Sequence, residues 1–123
     1  MTEKEIESQI LTWLNYQQGI FAFKVNTVGV FDPIKKIYRT NKNPFLINGT
    51  SDIIACVYGN FVAIEVKTPS GLKSLLKAKK EREINQVAFL KKVKEKGKGN
   101  AIAVSSLDSV IEFVKKLDLK KIS

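Results

Sequence analysis

Apolar positions recur along the chain with two different periods. In residues 3–17, Ile6, Ile10, Trp13, Leu14 and Gln17 return at three-to-four spacing, which predicts an amphipathic helix. Thr2 is its N-cap, with Glu5 three residues on completing a capping box, and Gly19 is its C-cap. Residues 20–26 are aromatic and β-branched and read as a strand. Residues 27–50 carry Gly29, Pro33, Pro44 and Gly49 and read as irregular, with one short strand near 37–39. Residues 52–57 and 61–67 are two strong strands, and Tyr58-Gly59-Asn60 between them is a hairpin turn signal. Residues 74–96 read as one long helix ended by Gly97 and Gly99. Residues 101–104 predict a short buried strand, and residues 107–117 a last helix capped by Ser106. No repeat and no linker divides this order. It predicts one α/β domain over residues 1–123, with a central mixed β-sheet flanked by helices.

Composition narrows the chemistry. At 123 residues the length fits one domain, and 44% hydrophobic content allows a real core rather than a disordered basic tail. With no histidine and one cysteine, Cys56, a His-based triad, a Cys–His pair and an ordinary zinc site are excluded. An intramolecular disulfide is excluded too, which suits a reducing cytoplasm. No apolar run approaches the roughly 20 residues that cross a membrane. The start, Met1-Thr2-Glu3-Lys4-Glu5, is not a signal peptide, so the expected location is cytoplasmic, with no membrane partner. Chemistry is left to carboxylates, lysines, hydroxyls or a bound metal.

The net charge of +9 points to a polyanion, with nucleic acid the default. Residues 73–98 hold ten basic residues, among them Lys73, Lys77, Lys79, Lys80 and Arg82, against three acids. A second cluster is Lys35, Lys36, Arg39 and Lys42. Such clusters grip phosphates without reading sequence. The plainer alternative is a solvated, Lys-rich helix face.

The informative constellation is Asp52 followed thirteen residues later by Glu65-Val66-Lys67. The same acid-x-Lys spacing recurs at Asp118-Leu119-Lys120, in the polar end of the last helix. The first copy differs because its charges sit in an apolar strand, where charge is costly. Strand alternation puts Glu65 and Lys67 on one face. A two-residue turn at Gly59-Asn60 would set Asp52 opposite Lys67 and Ile54 opposite Glu65, so that Asp52, Glu65 and Lys67 converge. Two close carboxylates repel unless a proton or a divalent cation lies between them, and oxygen-only ligands suit Mg²⁺ or Mn²⁺. A nearby lysine would help to activate water for phosphodiester hydrolysis. The alternative is an ordinary cross-strand Asp–Lys ion pair. Glu3 and Glu7 lie on or beside the apolar stripe of the first helix, either as site acids or as dipole-favoured helix-start acids. Gln86 shares a stripe with Leu90 and Val93, facing the sheet or its boundary.

These residues resemble the VRR-NUC (virus-type replication-repair nuclease) family of the PD-(D/E)XK nuclease superfamily. The resemblance rests on Gly49-Thr50-Ser51-Asp52, on Ile64-Glu65-Val66-Lys67-Thr68-Pro69-Ser70-Gly71, and on Gln86-Val87-Ala88-Phe89-Leu90. Ile6-Glu7, Phe23-Lys24-Val25 and Asn100-Ala101-Ile102-Ala103-Val104 extend it over nearly the whole chain. Ser51 stands where the superfamily motif has proline, and 75–85 reads as a Lys-rich insertion.

The resemblance implies a restriction-endonuclease-like fold and a metal-dependent DNA endonuclease. By it, Asp52, Glu65 and the Val66 carbonyl would bind Mg²⁺ or Mn²⁺, and Lys67 would be the catalytic lysine. Glu7 would be the helix carboxylate, with Glu3 competing, and Gln86 the helix glutamine. Lys24 would join the basic clusters on DNA. The family further implies a homodimer acting on branched DNA such as four-way junctions, without a nucleotide cofactor, and a phage-encoded enzyme in the host cytoplasm. A non-catalytic DNA-binding module and a sequence-specific or nicking duplex endonuclease are the alternatives.

Overall fold

The computed structural model of the protein describes residues 1–25, 30–32, 34, 37–39 and 49–122. Helix α1 (Glu3–Tyr16) opens on the expected capping box: the Glu5 N–H donates to Thr2 Oγ1 (3.2 Å) and the Thr2 N–H to Glu5 Oε1 (3.2 Å). The helix ends earlier than Gly19, with Gln17 as its C-cap in extended conformation. Among the described residues six strands follow it: β1 (Ile20–Lys24), β2 (Val30–Asp32), β3 (Ile37–Arg39), β4 (Ile53–Val57), β5 (Asn60–Val66) and β6 (Asn100–Val104). Among the described residues, strands β2 and β3 pair only with each other. The main sheet has the order β1-β4-β5-β6, antiparallel except for the parallel β5–β6 pair. The domain is therefore mixed α/β.

The expected long helix over 74–96 is three pieces. Helix α2 (Pro69–Lys77) starts on Thr68, whose Oγ1 accepts from the Gly71 N–H at 3.1 Å, with Pro69 in the first turn. It stops at Ala78, which adopts a left-handed conformation (φ 45°). Helix α3 (Glu81–Lys91) then begins, and a π-helical turn (Lys92–Lys96) closes the segment. The break is held by Glu83. Its carboxylate accepts from the Ser74 hydroxyl of α2 and from the Lys80 N–H (3.3 Å). The Ser74 hydroxyl first, then Lys80, holds the Glu83 carboxyl below its usual range. Parallel pairing of β5 with β6 needs a crossover, and α2 and α3 supply it.

The two sheet faces differ. One is closed: Ile6, Ile10 and Leu14 of α1 and Val110, Val114 and Leu117 of α4 (Leu107–Ile122) pack on Ile20, Ala22, Ile53, Ala55, Val62, Ile64, Val66 and Val104. The other carries a small cluster, Ala63, Leu90 and Ala101, under α3. Alternation along the strands sends Asp52, Ile54, Glu65 and Lys67 to this second face.

The β4–β5 turn uses Tyr58-Gly59, not Gly59-Asn60. Both central residues have positive φ (51° and 83°), the requirement of a type I′ turn, and Val57 pairs with Asn60. The register moves by two residues, so Ile53 faces Ile64 and the next position sets Asp52 across from Glu65 rather than Lys67. An even shift preserves the face. The expected convergence survives with a different partner.

The outer edge of β1 is blocked by a side chain. Asn15 Oδ1 accepts from the Ala22 N–H (2.9 Å) and Asn15 Nδ2 donates to the Ala22 carbonyl (3.0 Å). The amide substitutes for a neighbouring strand at that point. Replacing Asn15 by Ala should lower stability by about 1–2 kcal/mol. A reduced urea midpoint, with unchanged slope, is the measurement that checks it.

Candidate functional site

Four side chains meet on the second face. Glu65 comes from the last turn of alternation in β5 and is 1% exposed. Gln86 of α3, also buried, donates from Nε2 to Glu65 Oε1 at 3.0 Å. Lys67 Nζ lies 3.8 Å from the same oxygen. Asp52 precedes β4, and its Oδ2 accepts from the Val66 N–H at 2.8 Å while its carbonyl accepts from the Val25 N–H at 2.8 Å. The two bonds lock Asp52 between β1 and β5, beside Glu65. Gln86, ambiguous by periodicity, faces the sheet.

The electrostatics are dominated by burial. Desolvation, then the neighbouring Asp52 carboxyl, pushes the Glu65 carboxyl from 4.5 up to about 9. Asp52, close by, repels the charged form and so favours the protonated one. Lys67 opposes the rise, and Glu3 adds to it. Glu65 Oε2, Gln86 Oε1 and Ser51 Oγ are buried without hydrogen-bond partners. A protonated Glu65 is thus the state this centre holds when nothing else neutralises it.

The helix acids separate. Glu7 is buried but bonded to Lys24, Oε1 to Nζ at 3.1 Å, which accounts for its burial by an ion pair. Lys24 is thereby engaged by Glu7. Glu3 is the α1 acid whose charge reaches Glu65. Lys73, Lys77, Lys79, Lys80 and Arg82 are all exposed on or between α2 and α3. Lys35, Lys36 and Lys42 lie outside the described residues, and Arg39 is described only as a backbone position in β3.

Among the described residues no group of three or more Asp, Glu, Cys or His side chains forms a ready metal site. The donor chemistry still fits Mg²⁺ or Mn²⁺, which use one or two carboxylates and retain waters. Asp52 and Glu65 are two adjacent carboxyls, and Glu65 Oε2 has no donor. Among the described residues no helix is long and apolar enough to cross a membrane. The chain matches no family model, no curated protein and no solved structure among those compared.

In the sequence Gly49 is a loop glycine at the head of Gly49-Thr50-Ser51-Asp52, with no sign of what it packs against. It has φ +84°, and a Cβ there would lie 2.5 Å from the Asn85 backbone and 2.7 Å from the Gln86 nitrogen. The strand-leading loop therefore rests directly on α3 where Gln86 leaves it. Gly49→Ala adds both backbone strain and a clash, with an expected loss of about 2 kcal/mol or more. Thermal unfolding would show this as a lowered Tm.

The raised carboxyl has a definite consequence. Glu65 keeps its proton in the folded chain and loses it above about 4.5 in the unfolded chain, so folding binds a proton between pH 4.5 and about 9. Stability from this group is fully present below that window and falls as pH rises through it. In chelator, urea midpoints of the wild type should decline from pH 5 to 9 more steeply than those of Glu65→Gln. Parallel profiles would refute the buried, protonated Glu65.

Proposed function

We propose that the chain is a divalent-metal-dependent DNA endonuclease of the VRR-NUC kind. It would hydrolyse phosphodiester bonds in branched DNA such as four-way junctions, as a homodimer, in the cytoplasm. The observation that carries the reading is the buried Glu65, raised in pKa beside Asp52, with one orphaned oxygen and Lys67 3.8 Å away. Strongly perturbed titratable groups, shifted by desolvation and a specific charged partner, cluster at functional sites.

Each residue has a task in this reading. Asp52, Glu65 and the Val66 carbonyl would hold Mg²⁺ or Mn²⁺. The bound metal would supply Lewis-acid polarisation of the phosphate. Lys67 would orient a water for in-line attack and offset negative charge on the phosphate. Gln86 fixes Glu65 Oε1 and leaves Oε2 to the site. Glu3, whose charge acts on Glu65, is a stronger candidate for the helix carboxylate than Glu7, which Lys24 engages. The exposed Lys73, Lys77, Lys79, Lys80 and Arg82 begin six residues beyond Lys67 and would grip the backbone. A two-fold dimer would present two centres, as symmetric nicking of a junction requires.

One observation favours a second reading, a non-catalytic DNA-binding module: no third carboxylate joins the pair among the described residues. Labelled junction, fork and linear duplex, incubated with Mg²⁺ or with chelator, separate the two. The nuclease reading expects metal-dependent cutting of the junction. It also expects Lys67→Ala and Asp52→Asn to slow cutting by about a hundredfold to a thousandfold each. Binding of every substrate without metal-dependent cutting would sink it. A defined cut in linear duplex without branch preference would instead identify a sequence-specific enzyme.

A further inference from the structure

Cross-strand pairing arranges the second sheet face in rungs. Phe21 pairs with Cys56, and Cys56 with Phe61; Phe23 pairs with Ile54, and Ile54 with Ala63. The next rung is Asp52 with Glu65. Successive rungs on one face lie about 7 Å apart, twice the rise per residue. An aromatic rung, an aromatic–aliphatic rung and the acid pair therefore follow one another along a single face.

The aromatic end of this face is open. Phe21 is 66%, Phe61 47% and Phe23 46% exposed, while the cluster under α3 centres on Ala63 and Ala101, with Ile54 packed against it. The Phe21 and Phe23 rings touch at a centroid distance of 5.8 Å, tilted by 36°, which braces both without stacking them flat on each other. Three exposed phenylalanines on one sheet face are costly in water without an occupant.

Charge selects the occupant. The segment 92–99 abuts Phe61: a Cβ on Gly99 would lie 3.3 Å from Phe61 Cδ1, and Asn100 Nδ2 donates to the Phe61 carbonyl at 3.2 Å. Lys92, Lys94, Lys96 and Lys98 are exposed there. Joining two copies through this face would bring these lysines together in a chain of net charge +9. A polyanion gains from the same lysines. Exposed aromatics interleaved with positive charge on an open sheet are how single strands are held, because every base has a stackable face while paired bases are hidden in the helix.

We infer that Phe21, Phe23 and Phe61 form a stacking platform for unpaired bases of a nucleic-acid single strand, flanked by the lysines of 92–98 and leading to Asp52 and Glu65. The strand's destination rests on the nuclease reading; its binding does not. The platform supplies a physical basis for preferring forks and other DNA with single-stranded arms over continuous duplex.

The test is binding of a single-stranded oligodeoxynucleotide carrying 2-aminopurine, in chelator so that nothing is cut. The wild type should quench the probe. Phe21→Leu and Phe61→Leu, which keep an apolar side chain but remove the ring, should abolish quenching and weaken binding roughly five- to a hundredfold each. Phe21→Trp should restore both, and Tyr16→Leu, on the exposed side of α1, should change neither. Unaltered quenching and affinity in the Leu variants overturn the inference. So does a wild-type dimer that Phe21→Leu dissociates while strand binding persists, since a second copy then owns the face. Metal-dependent cutting without quenching retains the nuclease reading and removes the platform; quenching that depends on Phe21 without any cutting does the reverse.

Discussion

Burying the Glu65 carboxyl in a sheet face is the constraint around which the second half of the molecule is arranged. A group taken so far from water must be neutral, hydrogen-bonded or paired. Here it meets Gln86 from α3, Asp52 from the end of β4 and Lys67 two residues on. These contacts come from three separate stretches of chain, so satisfying one carboxyl orders all of them. The apolar cluster beneath α3 is thin: Ala63, Leu90 and Ala101 are its buried members, against fifteen residues on the opposite face. The seating of α3 on the sheet therefore leans on polar contacts and on the close approach at Gly49. Stability is concentrated on the α1–α4 side, and the candidate site lies where packing is lightest.

Periodicity carried most of the fold. The stripe through Ile6, Ile10 and Leu14, the strands around 53–66 and the capping box at Thr2 follow from spacing and local chemistry alone. What it missed has specific causes. Turn position in the β4–β5 hairpin was misassigned because Tyr58 adopts positive φ, a conformation that a bulky residue gives no warning of. The face assignment nonetheless held, since only an odd shift in register reverses a strand. The long helix was broken by a left-handed Ala78 and by the Ser74–Glu83 contact across the break, and alanine is the last residue from which a stop would be inferred.

The candidate site divides in the same way. Asp52, Glu65 and Lys67 could be grouped from alternation and an approximate turn. Gln86 needed the helix phase, which the break at Ala78 resets. Glu7 looked like a site acid because it lies on a buried stripe; its partner Lys24 sits on β1, and no local pattern links those two positions. The three phenylalanines share a face only through the pairing of β1, β4 and β5, so their grouping emerges from tertiary register.

Charge ties these parts together. The chain carries a large positive excess, yet its centre is short of positive charge. Lys67 opposes the combined effect of burial, Asp52 and Glu3 on Glu65, and it loses. A purely structural ion pair would hold the carboxyl ionised; this one is left to take up a proton. A proton neutralises one carboxyl only, whereas a divalent ion would relieve both at once. A phosphodiester brings further negative charge, which makes an acidic centre a poor place for it unless basic residues draw the backbone in and a cation offsets the carboxyls. Under the proposed function, the exposed lysines of α2 and of 92–98 would meet the first requirement, and the deficit at Glu65 would be the reason for the second.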